Sequence, residues 1–122
     1  GIESAQLSSI PIGLDHTHDL TPYEGMMAIE ALGVCEIGRG KDYVLSGGMS
    51  LESSCPVNTY GGGPGFGHGS AGSDFQAGVL ENFWQLRGEG GQRQVGNARV
   101  AVNTSYGTHH SLDAVGVLQR GW

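Results

Sequence analysis

From Tyr60 to Asp74 the chain reads YGGGPGFGHGSAGSD, a run in which nearly every second residue is glycine and one histidine, His68, stands between two of them. Glycine brings no side chain to bury and loses the most backbone freedom on ordering, so this stretch cannot supply a core layer. It either shapes backbone around something or stays loose. The fold must therefore be built from the segments on either side of it. The chain is 38% apolar and 15% charged over 122 residues, enough for one compact domain with its own core. Its 23 glycines lack the every-third-residue period of collagen and cluster between apolar runs, as turns and close backbone approaches do.

Charge and cysteines exclude several function classes. A net charge of −6 with six scattered Lys and Arg argues against phosphate-backbone binding, so nucleic acid is not an expected partner. Cys35 and Cys55 form no CxxC spacing and no second pair, which points away from structural zinc and from a disulfide framework and toward a reducing cytoplasm. No apolar run approaches the length of a membrane span, and the start lacks the basic-then-apolar profile of a signal peptide. Because the first residue is Gly, the chain reads as processed or as taken from something larger.

Around the glycine run the pattern alternates strands and helices. Ile10, Ile12 and Leu14 alternate within SSIPIGLD, which predicts a strand over Ser8 to Asp15. TPYE then gives a helix start: Thr21 as N-cap, Pro22 at the first helical position, Glu24 closing a capping box. Met26, Met27, Ile29 and Leu32 continue at helical spacing, and Gly33 stops the run. Cys35 to Ser54 is a turn-rich excursion with one short strand expected at Tyr43 to Leu45, and Val57 to Thr59 reads as extended. After the glycine run, Ser73 or Asp74 caps a second helix whose stripe of Phe75, Val79, Phe83 and Leu86 faces the core and which Arg87 and Gly88 close. ARVAVNT over Ala98 to Thr104 is a buried strand, SYGTHH a tight connection, and SLDAVGVL a final strand. Alternation of this kind implies a layered α/β domain.

Three clusters carry chemistry. In the first, Gly67 to Gly72 fits GxGxxG, but the following strand ends in Asn103 and Thr104 rather than in the acid that would hold a ribose, so a dinucleotide site is a weak match. The same geometry without a nucleotide has glycines such as Gly65 and Gly67, with Ser70, letting backbone pass close to a ligand, while His68 stands near the amide-rich start of the second helix. There an imidazole can serve as base or as donor to an oxyanion; the plain alternative is a turn histidine facing water. The second cluster, HTHD, offers His16, His18 and Asp19. It suits either a metal pair of the kind found in barrel hydrolases, a fold twice this size, or simple capping of the first helix, the stronger of the two. The third, NTSYGTHH, brings Asn103, Tyr106, His109 and His110 between the last strands. Tyr106 moves a proton only if its pKa, near 10 when free, is pulled down; otherwise it covers the sheet edge.

Taken together, HDLTPYEGMMAIEALGVC, PVNTYGGGPGFGHGSAGS and FWQLRGEGGQRQVGNARVAV resemble, in order and spacing, the C-terminal half of the thiolase superfamily, in particular the sterol-carrier-protein-type thiolases and their acyltransferase and aldolase relatives. The resemblance runs over nearly the whole chain and implies a β-α-β-α-β-β layered half with a mixed sheet, incomplete without an equivalent N-terminal half. On that reading residues 1–122 form one thiolase-like C-terminal domain that lacks its first helix and the N-terminal domain. His68 activates a nucleophilic cysteine carried by another segment or subunit, His18 helps form the oxyanion site for the thioester, and the coenzyme A thioester is substrate, with no cofactor or metal. Three departures qualify the match. Gly69 stands where a proline usually follows the loop histidine, Tyr106 precedes the glycine where many thiolases carry a second cysteine, and Cys35 and Cys55 fall on turn and loop positions. The implied function is acyl transfer with carbon–carbon bond formation or cleavage on acyl-CoA, within a larger oligomeric assembly. The alternatives are a retro-aldolase acting with an OB-fold partner and a non-catalytic acyl-binding scaffold.

Overall fold

The computed structural model describes residues 14–16, 21–66, 73–106 and 113–121. Three strands, β1 (Leu14–His16), β2 (Val100–Tyr106) and β3 (Asp113–Gln119), form one mixed sheet in the order β1-β2-β3. β1 lies parallel to β2, with Leu14 opposite Ala101 and His16 opposite Asn103. β3 lies antiparallel to β2 in unbroken register from Val100–Gln119 to Tyr106–Asp113, and the Arg120 amide donates to the Arg99 carbonyl at 2.9 Å, extending the ladder. Among the described residues, four α-helices, α1 (Pro22–Ala31), α2 (Gly40–Leu45), α3 (Gly62–Phe66) and α4 (Ser73–Arg87), and a 3-10 turn at Gly91–Arg93 lie between β1 and β2 in the chain. The layered α/β arrangement with a mixed sheet is thus as expected; Ser8 to Gly13 of the expected first strand lie outside the described residues.

The first helix starts as its sequence dictates. The Thr21 hydroxyl accepts from the Glu24 amide at 3.4 Å, the Glu24 carboxylate accepts from the Thr21 amide at 2.7 Å, and Pro22 occupies the position whose amide would have no helical partner. Gly25, Ile29 and Leu32 are buried, while Met27 points outward, so the buried stripe is narrower than the apolar spacing alone suggests. At its end Gly33 takes φ +73°, and the Gly33 and Val34 amides return to the Glu30 and Ile29 carbonyls at 3.0 and 2.9 Å. This paired closure needs left-handed backbone, which glycine adopts freely.

The same closure corrects the reading of Tyr43 to Leu45, which is helix rather than strand. Gly47 at φ +80° ends α2, with the Gly47 and Gly48 amides returning to Val44 and Tyr43 at 3.0 and 2.9 Å. A β-favouring Tyr-Val pair is overridden because the helix is anchored at its start. The Glu30 carboxylate accepts the Gly40 amide at 2.7 Å, and Arg39 pairs with Asp42 at 2.8 Å. Tyr43 lies over Gly48, where a Cβ would meet the ring at 2.5 Å. Of the extended piece, Val57 is buried and its amide donates to Met49, but Thr59 and Tyr60 already turn. The glycine run is likewise not all irregular: α3 opens at Gly62, which like Gly61 before it has positive φ, and Pro64 sits in its first turn, where a missing amide costs nothing.

α4 departs most from expectation. Its buried face carries Gly78, Glu81, Asn82, Gln85 and Leu86, whereas Leu80, Phe83 and Trp84 are 51%, 48% and 41% exposed. Of the expected stripe, Leu86 faces the core, Phe83 does not, and Val79 is half-buried. The polar residues go inside because partners wait for them there. Leu86 packs with Val95, Ala98 and Ala101, flanked by Leu51 and Leu118, and this cluster welds the end of α4 to the start of β2. β2 runs two residues later than its sequence pattern suggests, which makes Tyr106 its final residue rather than part of the connection, and β3 ends one residue past the expected Leu118.

Candidate active-site end of the sheet

A buried polar lattice fixes the root of the glycine run. The Glu81 side chain is 1% exposed and accepts a fork from Arg93, Nε at 3.1 Å and Nη2 at 2.9 Å, with the Thr59 hydroxyl and the Gln85 amide each at 3.0 Å. Gln85 also donates to the Arg93 carbonyl at 2.7 Å and accepts the Val95 amide at 2.7 Å. Gln94 donates to the Gln85 carbonyl at 2.9 Å and accepts the Gly90 amide at 2.8 Å. Burial opposes the charge on Glu81, but the hydrogen bonds from Arg93, Gln85 and Thr59 outweigh it and hold the carboxyl below its ordinary value. Thr59, two residues ahead of Gly61, is thereby tied to α4 and to the turn before β2. Glu81, Asn82 and Gln85, polar at helical spacing, were the sequence signal for this lattice, hidden by the competing apolar stripe.

The elements converge at one end of the sheet. Asn82 donates to the Val102 carbonyl at 3.1 Å while Leu86, one turn later, packs near Ala98 and Ala101, so α4 runs opposite to β2. From Asn82 back to Ser73 the helix rises about 13 Å, and from Val102 on to Tyr106 the strand advances about 13 Å. The start of α4 and the end of β2 therefore sit at the same level. β1 runs toward that same end but stops about 10 Å short of Tyr106, since it is parallel to β2 and His16 pairs with Asn103, three residues earlier.

Of the sequence-derived site residues, Tyr106 is the last of β2, opposite Asp113. Gly65 lies exposed in α3, its amide donating to the Gly61 carbonyl at 3.0 Å, and a Cβ there would meet nothing within 4 Å. His18, His68, Gly67 and Ser70 lie outside the described residues, as do Asp19, His109 and His110. What is described is where their segments attach: His18 follows the end of β1 by two residues and His68 precedes the start of α4 by five. Neither Cys35 nor Cys55 is in a disulfide. Burial and the nearby Glu30 carboxylate push the Cys35 thiol up, away from nucleophilic thiolate.

Two carboxamides stand out. Asn103 is 1% exposed in the central strand, and neither its oxygen nor its nitrogen has a partner; it faces Gly116, where a Cβ would meet its Oδ1 at 2.6 Å. Asn58 has both side-chain polar atoms shut from solvent and unpartnered, on a backbone with φ +52°. Orphaned buried polar groups are rare in folded proteins, and composition gave no hint of either.

The family model described as thiolase C-terminal domain-like matches residues 1–120. Acetyl-CoA acetyltransferase of Methanothermobacter thermautotrophicus is 34% identical over 116 residues, which cover 95% of this chain and 30% of that protein. Human sterol carrier protein 2 is 34% identical over 105 residues, covering 86% of this chain and 19% of its own length. The 17-hydroxy-3-oxo-4-pregnene-20-carboxyl-CoA lyase of Mycobacterium tuberculosis is 32% identical over 98 residues, covering 79% and 21%. Among solved structures, the Ltp2-ChsH2(DUF35) aldolase superposes with a TM-score of 0.80 over 97% of this chain and 31% of its own, at 22% identity. The chain thus spans less than a third of the length of each.

Proposed function

The chain belongs to the thiolase C-terminal domain-like family, and from that membership we propose that it is the histidine-supplying part of an enzyme that makes or breaks carbon–carbon bonds on acyl-CoA thioesters. In this reading His68 takes the proton of a cysteine thiol borne by another thiolase segment or subunit. The thiolate attacks the thioester carbonyl, an acyl–sulfur bond to the enzyme forms, and the coenzyme A sulfur leaves with the proton. His18 donates to the oxygen that carries the developing negative charge. Tyr106 handles the proton at the carbon whose bond is formed or cut, and Gly65, Gly67 and Ser70 border the path of the thioester. The observation that carries the proposal is that β1 after His16, β2 at Tyr106 and α4 at Ser73 all end toward one side of the sheet, α4 and β2 at the same level. Two cysteines outside any disulfide suit a cytoplasmic setting.

A second reading, retro-aldol cleavage of a β-hydroxyacyl thioester alongside an OB-fold accessory protein, is favoured by Tyr106 standing where a second cysteine is expected, and by the lyase and aldolase among the similar proteins. The test is His68→Ala in the complete assembly, assayed on acyl-CoA and β-hydroxyacyl-CoA with product identification. Turnover should fall by about 10²-fold or more while the assembly keeps its melting temperature. Unchanged turnover removes His68 as base, and the product formed decides between the two readings.

A further inference from the structure

β3 has a second edge. Among the described residues it pairs with β2 alone, in the order β1-β2-β3. The Arg120 amide donates to the Arg99 carbonyl at 2.9 Å, which makes Arg99 and Arg120 a hydrogen-bonded pair of the antiparallel ladder. Such pairs alternate along the strands, so Ala101–Leu118, Asn103–Gly116 and Ser105–Ala114 are the others. The backbone amides and carbonyls of Ala114, Gly116 and Leu118 therefore point at β2. Those of Asp113, Val115, Val117 and Gln119 point the other way, along the outer edge.

Proteins blunt such an edge with a very short strand, a lysine or proline, or a bulge that twists it away. β3 has none of these. It runs seven residues, DAVGVLQ, without Lys or Pro. Its register with β2 is unbroken from Gln119 to Asp113, and Val115 is 47% exposed. A regular apolar edge of this length is a template for another strand.

The pattern of the edge selects its occupant. Laid antiparallel across a two-fold axis through Gly116, two copies of β3 bring Val115 opposite Val117 and Asp113 opposite Gln119. Every such pair joins two residues whose backbone groups point outward, so the edges of both copies are met in full. Moving the axis to Val115 or Val117 leaves Gln119 or Asp113 with nothing opposite it in the strand. The one charged residue in the strand, Asp113, comes opposite a neutral position and next to Arg120, so no like charges are opposed. Two-fold pairing also closes on itself, whereas parallel stacking of copies would run on as a filament. We infer that β3 is a self-association surface: a second copy of this chain pairs with it antiparallel about Gly116, joining the two sheets into one.

The test places charges at Gln119, which is exposed, in the complete protein, with self-association followed by sedimentation equilibrium. Positions 113 and 119 lie about 20 Å apart along one strand and are screened from each other within a copy; across the axis they are opposite. Gln119→Lys should tighten the association and Gln119→Glu weaken it, the two dissociation constants differing about tenfold because the contact occurs twice. In an Asp113→Asn background the difference should shrink to about twofold or less. The Val115 and Val117 amides should gain protection from hydrogen exchange as concentration rises, while the Gly116 amide, bonded to β2, stays protected throughout and reports an intact fold in every variant. Association that is absent, that extends into filaments, or that responds alike to Lys and Glu at 119 overturns the inference. So does protection of Val115 and Val117 already present in the unassociated protein, which would mean that another segment covers the edge.

Discussion

Replacing Arg93 with Met tests how the root of the glycine run is held. The Glu81 carboxylate is 1% exposed, and without the guanidinium it keeps only the Thr59 and Gln85 donors, both at 3.0 Å. Stripping one partner from a buried pair costs about 3–5 kcal/mol. The Arg93 side chain is 49% exposed, so part of its attraction is already screened and the lower end, about 3 kcal/mol, applies. That is a factor of roughly 150 in the folding equilibrium. With a urea dependence of about 1.5 kcal/mol per molar, the midpoint should move down by about 2 M, read from tryptophan fluorescence.

The pH dependence gives a second, sharper readout of the same change. In the wild type the folded carboxyl titrates below its unfolded value, so its stabilisation is present above the unfolded pKa and is lost as pH falls through the folded one. In Arg93→Met burial dominates and the folded pKa rises above the unfolded value. The carboxyl then costs stability as pH rises and returns it as pH falls, so the two proteins should converge on acidification toward pH 4. A variant within about 1 kcal/mol of wild type at pH 7, or a gap that does not narrow with acid, refutes the reasoning.

Other outcomes follow from single contacts. Thr21→Ala removes the hydroxyl half of the capping box and should cost about 1 kcal/mol by thermal unfolding. Gly116→Ala forces a Cβ to 2.6 Å from the Asn103 oxygen and should cost about 1–3 kcal/mol; in a double-mutant cycle Asn103→Ala should recover most of it, and additivity would show that the strain lies elsewhere. Glu30 is held below its ordinary value by the Gly38 and Gly40 amides. Its grip on the start of α2 should persist above the unfolded pKa and weaken as pH falls through the folded one, seen as faster amide exchange at Gly40.

Much of the fold could be read in the sequence because local chemistry and tertiary structure agree there. Thr21, Pro22, Glu24 and Gly33 encode the first helix completely, and the alternation in β2 and β3 locates both strands to within two residues. Reading failed where a tertiary partner decided the outcome. Tyr43 and Val44 favour strand, but Glu30, ten residues before Gly40, anchors a helix, and Gly47 is the local sign of it. In α4 the apolar stripe was real as spacing and wrong as orientation, since the partners that make Glu81 and Gln85 tolerable inside come from Thr59, Arg93 and Val95. For the site, residue types and order could be read, whereas Asn58 and Asn103 could not, because an unmet hydrogen bond is a property of surroundings.

The division of labour in α4 has an engineering consequence. Among the described residues, the side-chain hydrogen bonds that fix the helix to the rest of the domain leave from positions 81, 82 and 85, while Leu80, Phe83 and Trp84 leave about half of their surface exposed, with the Arg87 guanidinium 5.2 Å over the Phe83 ring. The outward positions are therefore where a change for solubility, or a reporter through Trp84, leaves that hydrogen-bonded lattice untouched, and the inward trio can be tuned without altering what the molecule shows to its surroundings.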